Sequence, residues 1–430
     1  MLPIKVGIVL WLCNVLRLGR LKTTPRGGDR KPRLAAAALC LGLLFLPGAG
    51  AEILPAGTVL HARLTTAASS LSQPGQAVEA VVIAPVIVGD AVWIPMGARL
   101  SGTVKSAQPA KPDARAELLL AFENLTMPDG ARHKPSLRLT EVDNAREVVT
   151  EDGVIHGILE SETLAAQMDQ AIERLGNRFS RLAQILGAMK GAVIQKVDTE
   201  IRLDVGAELY LSLLEPLEIP KAYPVTDVVP IEPEEELAAL VSSLPMRTTA
   251  EKPPQPSDLT NLIYLGTREQ IEKAFHAAGW STAAELNAAS GLETVRAVAE
   301  QRGYKEAPMS VLLLEGKPPD LVFQKQYNTF AKRHHLRIFQ RPEKFQGREV
   351  WVCAATHDVG IDFSPENRTF IHRIDPKIDR ERAKVVFDLM HAGAVEGVAL
   401  VARPSAPTSA ENATGDKIET DGRMAVLLLR

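Results

Sequence analysis

Eight prolines fall within 218–256, namely Pro220, Pro224, Pro230, Pro233, Pro245, Pro253, Pro254 and Pro256. Each fixes φ and removes a backbone donor, so no long helix or central strand can run through them. Glu232, Glu234, Glu235 and Glu236 add an acidic run. Apart from a short helix expected over 234–243, the stretch reads as an extended spacer. It divides the chain into a front unit, 52–217, and a back unit, 258–430, with a linker at 218–257. A length of 430 residues is ample for two cores.

The amino-terminal residues carry an export pattern. Arg26, Arg30, Lys31 and Arg33 precede an apolar run over 34–46, which Pro47 and Gly48 end. Ala49-Gly50-Ala51 then supplies the small side chains a signal peptidase accepts, with cleavage expected after Ala51. The run is shorter than the roughly 20 apolar residues of a membrane span; the alternative is an inner-membrane anchor made of an uncleaved signal. The expected location is the periplasm or cell envelope. Of three cysteines, Cys13 and Cys40 would leave with the signal and Cys353 would remain, so no intrachain disulfide can form in the mature chain. A net charge of -3 gives no basic stripe for nucleic acid.

In the front unit, period-two patterning predicts short strands: Leu60, Ala62 and Leu64; Val78, Ala80 and Val82; Leu137 and Leu139. A local pattern recurs three times, in Leu54-Pro55-Ala56-Gly57-Thr58-Val59-Leu60, Ile94-Pro95-Met96-Gly97-Ala98-Arg99-Leu100 and Leu203-Asp204-Val205-Gly206-Ala207-Glu208-Leu209. Each reads as a turn feeding a new strand, with proline suited to the second turn position and glycine to the last, where a side chain would crowd the chain. Repeated units of this kind predict a small barrel or sandwich. Together with Ser69-Ser70, Pro74-Gly75 and Ser101-Gly102, these turns resemble the β-barrel scaffold of TrbI-like components of type IV secretion complexes. That resemblance implies envelope or secretion partners. Leu164, Met168, Ile172, Leu175, Phe179, Leu182, Leu186, Met189 and Val193 step by threes and fours, predicting an amphipathic helical insertion over 161–196. Its stripe would pack on the barrel, on a second copy in an oligomer, or on a partner or the membrane surface.

The back unit alternates helical and strand patterns, giving an α+β multidomain chain overall. Strands are expected at 261–265, 310–314, 321–325, 335–339, 349–355, 397–401 and 424–429, and helices at 267–278, 282–302 and 379–391. Asn261-Leu262-Ile263-Tyr264-Leu265-Gly266-Thr267-Arg268-Glu269, Phe275-His276-Ala277-Ala278-Gly279-Trp280, Lys332-Arg333-His334-His335-Leu336-Arg337, Thr356-His357-Asp358-Val359-Gly360-Ile361 and Thr420-Asp421-Gly422-Arg423 are among many ordered motifs here. Through them 258–430 resembles the LssY C-terminal domain family. Relatives carry that domain behind multi-span membrane segments, and the resemblance implies a domain type without a reaction.

The chemistry therefore rests on the polar residues themselves. Strand alternation puts Arg333, His335 and Arg337 on one face and His334 on the other, so the adjacent histidines would not ligate one ion together. His357 with Asp358, His372 with Asp375, and Asp379 with Arg382 are expected on loops or element ends. Three readings stand. A metal-assisted hydrolase of phosphoester or lipid-derived substrates would draw ligands for a divalent metal from His335, His357, His372, Asp375 and Asp379, with Asp358 also a candidate for catalysis. An anion or lipid-phosphate site would use Arg333, Arg337, Arg382 and Arg423. A purely structural envelope or secretion component would bury the same groups as a hydrogen-bonded network. The sequence lacks GxxxxGK[ST], GxSxG and GxGxxG, which argues against nucleotide-driven work, serine-esterase chemistry and dinucleotide redox.

Overall fold

Alternating burial in the front unit follows the alternating sequence. Val59–Leu64 buries Leu60, Ala62 and Leu64, and Ala77–Val82 buries Val78, Ala80 and Val82. The computed structural model describes residues 51–89, 91–162, 198–224, 228–251, 254–282, 312–325, 332–364 and 369–430. Within them the front unit is a nine-stranded antiparallel sheet, ordered Leu137–Val142, Glu208–Leu213, Val59–Leu64, Ala77–Val82, Arg99–Gln108, Glu117–Thr126, Ile155–His156 and Val148–Val149, with Arg132–His133 on Glu117–Thr126. The sheet curls until Leu137–Val142 returns to Glu117–Thr126, a nearly closed barrel around Leu60, Leu100, Leu118 and Leu209. The helical insertion expected over 161–196 lies almost wholly outside the described residues, and the chain as described is mostly β.

The three repeated turns form, with their register one residue later than the sequence suggested. Thr58, Ala98 and Ala207 donate their amides to the carbonyls of Pro55, Pro95 and Asp204. Glycine therefore occupies the third turn position, at φ +83° for Gly57, +85° for Gly97 and +100° for Gly206. Left-handed φ is the reason for glycine here. Crowding is not the reason, since a Cβ at Gly57 or Gly97 would meet nothing within 4 Å.

The back unit is an eight-stranded sheet ordered Trp280–Thr282, Leu321–Lys325, Arg333–Phe345, Arg348–Ser364, Leu262–Leu265, Arg423–Leu429 and Val395–Ala402, with Thr369–Ile374 on Arg348–Ser364. Pairing is antiparallel except between Leu262–Leu265 and Arg423–Leu429. Three α-helices occur among the described residues: α1 (Glu234–Ser243), α2 (Arg268–Ala277) and α3 (Ile378–His391). Helix α2 starts at a capping box, in which the Thr267 hydroxyl accepts from the Gln270 amide and the Gln270 side chain accepts from the Thr267 amide. Ile271 and Phe275 of α2 and Val385 and Leu389 of α3 pack on the face of the sheet that presents Leu336, Trp351 and Leu427. Leu237 and Val241 of α1 cover the opposite face, against Phe339, Val350 and Val352. Most of the helix expected over 282–302 lies outside the described residues; Thr282 itself ends a strand. None of the described helices is long and apolar enough to cross a membrane.

Two expectations need correction. The Pro/Glu-rich stretch is more than an extended spacer: besides α1 it contributes Arg247–Ala250 and Gln255–Leu259, which pair with each other, and the first also pairs with Leu312–Leu313. Nor are the two units merely strung together. Ala84 of the front unit is buried in the core beneath α2 and α3, and Ile87 and Met96 pack against that core.

Candidate functional site

Helix α3 carries Glu381, Lys384 and Asp388 at spacings of three and four, which places them along one helical stripe. All three are buried, an unusual fate for charged groups without partners. Their partners come from the barrel and from the back sheet together. Asp388 accepts from Arg63 at 2.8 Å, from Lys325 at 2.7 Å and from the Trp280 indole at 3.0 Å. Glu208, on the strand Glu208–Leu213, accepts from Arg63 at 2.8 Å and from Lys384, and lies 3.1 Å from the Lys325 ammonium and 3.0 Å from His61 Nε2. Arg63 thus binds one carboxylate from each unit.

The cluster continues to the turn after Leu137–Val142. The Ala145 amide donates to the Val142 carbonyl, and Asn144 sits at φ +55°, a conformation asparagine tolerates better than most residues. This turn points Asp143 and Asn144 at the back sheet. Asp143 lies 2.9 Å from His334 Nε2, whose Nδ1 lies 2.7 Å from Glu381. Asn144 Oδ1 lies 2.8 Å from His357 Nε2. His334 and His357 are direct cross-strand partners with stacked rings, 4.0 Å between centroids.

Electrostatics follow from this mutual pairing. Burial opposes charge on His334, but Glu381 and Asp143 outweigh it and raise its pKa to about 9. Burial together with the neighbouring His334 holds His357 well below the ordinary imidazole value. Burial alone would raise Glu208, yet Lys325 and Lys384 carry it well below the usual carboxylate range, and the same two lysines lower Asp388 against its own burial. Burial also disfavours charge on Lys384, but Asp388, Glu208 and Asp143 reverse that and raise it well above an ordinary lysine. Arg63, Lys325, Lys384 and protonated His334 then balance Asp143, Glu208, Glu381 and Asp388. Such balance is what makes a buried ionic cluster tolerable.

The candidates from sequence fall into separate places. Arg333, His335 and Arg337 share a face, as alternation predicts, and it is the face away from α3. There Arg333 donates to Asp358 at 3.1 and 3.2 Å, and His335 Nε2 lies 2.8 Å from the same carboxylate. Arg337 lies 3.5 Å from Asp258, whose pKa burial raises. Asp379 and Arg382 occupy the first turns of α3, where Arg382 grips Asp421 with two bonds of 2.9 Å and lies 3.1 Å from Asp379. Arg423 is exposed, and its carbonyl accepts from Arg382. Asp375 accepts from the Lys377 amide and lies 3.3 Å from Arg380. His357 and Asp358 were expected on a loop or element end; they lie within the long strand Arg348–Ser364, on opposite faces. His372 was also expected near a loop and lies on the strand Thr369–Ile374; its side chain is outside the described residues.

The structure therefore does not bring His335, His357, Asp375 and Asp379 to one centre. It pairs Arg333, Arg337 and Arg382 with internal carboxylates that an incoming anion would have to displace. The groups it does gather, Asp143, His334 and His357, each offer one ligand atom, all within 4.8 Å of one another. A second trio, His61, Asp143 and Glu208, meets the same condition, but the Lys384 ammonium already lies against Glu208 and 3.8 Å from Asp143. Sequence reading missed Asp143, Asn144, Glu208, Lys384 and Asp388. A charged stripe on a helix reads by default as its solvent face.

No curated protein matches the chain. Among solved structures, ComB10 of the Com type IV secretion system of Helicobacter pylori matches at 14% identity with a TM-score of 0.23, covering 40% of this chain and 91% of that one. The family model described as LssY C-terminus matches residues 241–424. The unit that brings His334, His357, Lys384 and Asp388 to the joint is an LssY-type C-terminal domain.

Proposed function

We propose that the protein is an exported envelope component in which the barrel and the LssY-type domain are locked into one binding scaffold by the buried ionic joint. One observation carries this reading: eight charged groups from both units, six of them buried and Arg63 and Asp143 partly so, mutually balanced, with Arg63 bonded to Glu208 and Asp388 at once. A loose tether would leave these groups in water, and burying them without partners would cost several kcal/mol each. The positive segment, apolar run and Ala49-Gly50-Ala51 support export. The partners that fit this reading are envelope or secretion proteins, with peripheral membrane contact where the scaffold meets the bilayer surface.

The test is expression of the tagged full chain in a bacterial host, followed by osmotic-shock fractionation and calorimetry of the purified protein. The expected result is release with the periplasm in a form shortened to start at Glu52, unfolding in one transition that Asp388→Asn splits or broadens. Retention in the cytosol would sink the export part. Two independent transitions in the unmodified chain would sink the locked scaffold.

A further inference from the structure

Beside the ion pairs of Lys325, Lys384 and Arg63, two imidazoles stack against each other at the edge of the joint, and His334 is itself held between Asp143 and Glu381. His334 and His357 reach this position from adjacent strands, and Asp143 meets them from the opposite unit. Each imidazole is held by a second group. Glu381 fixes Nδ1 of His334, and the Asn144 amide meets Nε2 of His357. A carboxylate behind a histidine is the arrangement that orients metal-binding imidazoles.

We propose that Asp143, His334 and His357 bind one divalent transition metal of the zinc class across the joint. The inference rests on the docked arrangement described above and deepens it. Two imidazoles and one carboxylate suit zinc, cobalt(II) or nickel(II), whereas calcium and magnesium prefer oxygen shells. With zinc bonds of about 2.1 Å, tetrahedral ligand atoms sit about 3.4 Å apart. Atoms already within 4.8 Å reach that spacing by side-chain rotation. Binding would release the Nε2 proton of His334 to solvent and turn Asp143 from that nitrogen to the ion, while Glu381 kept its hold on the Nδ1 proton. The second trio takes no ion, because its Glu208 is already held by Lys384, Arg63 and Lys325. One site per chain follows. Its fourth position would be filled by water or by a donor from a partner.

The experiment uses the full chain, stripped with chelator and dialysed against cobalt(II) or zinc. One equivalent of metal is expected, with visible cobalt bands of a nitrogen–oxygen shell. Asp143→Asn and His357→Gln should each weaken binding about 100-fold or more, while His61→Gln, which removes a ligand of the second trio only, should leave the stoichiometry at one. No uptake, or uptake unchanged by His357→Gln, overturns the proposal. If a ligand variant does not fold, zinc-edge absorption of the unmodified chain decides. Two imidazoles in the shell support the site, and a sulfur or all-oxygen shell overturns it. Limited proteolysis of the metal-free chain reads the joint separately. Resistance without metal uptake removes the metal and keeps the locked scaffold, whereas ready cleavage between the units without uptake removes both.

Discussion

Arg63 of the barrel and Asp388 of α3 are 2.8 Å apart, though 325 positions separate them in the chain. The same guanidinium is 2.8 Å from Glu208, so a single side chain ties a barrel strand to the far domain's helix. Asp388→Ala leaves Arg63 and Lys325 buried without this counter-charge and should cost about 3–5 kcal/mol. The exposed pair Lys105–Glu123 has similar geometry at 2.6 Å, yet solvent screens it, and Lys105→Ala should leave the unfolding midpoint nearly unchanged. Denaturant unfolding of both variants checks the contrast; equal losses would mean the joint contributes no more than a surface pair.

Acid should loosen the joint. The folded pKa values of Glu208 and Asp388 are depressed, so their stabilisation is complete above the ordinary carboxylate range and is lost as pH falls through the depressed values. The unfolding midpoint should therefore drop as pH falls below about 4, and Glu208→Gln should flatten the drop. A midpoint independent of pH down to about 3 would contradict this assignment.

Much of the scaffold was legible because local chemistry agrees with global position. The strand at 321–325 was expected with the bounds it has, and the helix expected at 267–278 begins at the Thr267–Gln270 box. The joint was illegible for the opposite reason. Glu381, Lys384 and Asp388 look like a solvated face, and Asp143-Asn144 looks like an ordinary surface turn. Only the meeting of two units, a long-range event, buries them. The placement of His357 and Asp358 failed similarly: the strand was expected to end at 355, but pairing with Arg333–Phe345 and Thr369–Ile374 carries it through.

The capping box offers a local test. Thr267→Ala removes the hydroxyl that accepts from the Gln270 amide at 3.3 Å and should cost about 1 kcal/mol. Thr267→Ser should recover most of it. Thermal unfolding of the two variants distinguishes a cap from mere side-chain packing, which serine would not restore.

Gly102 offers a more severe one. It lies at a register shift between Arg99–Gln108 and Glu117–Thr126, and a Cβ there would come 1.7 Å from the Ala121 carbonyl oxygen. Gly102→Ala should force these two strands apart and cost about 3 kcal/mol or more. Soluble yield and unfolding midpoint are the readouts, and an unchanged midpoint would mean the bulge is absent in solution.

The placement of Arg423–Leu429 has a consequence for how the protein is made. This strand lies between Leu262–Leu265 and Val395–Ala402, and it is the only described neighbour of Val395–Ala402 in the main sheet. It is also the last strand of that sheet to leave the ribosome. Until it arrives, Leu262–Leu265 and Val395–Ala402 each keep an open edge, a long-range pairing of the kind that slows folding. The closing of this domain is therefore tied to one late strand, whose two edges join what the earlier strands and helices leave apart.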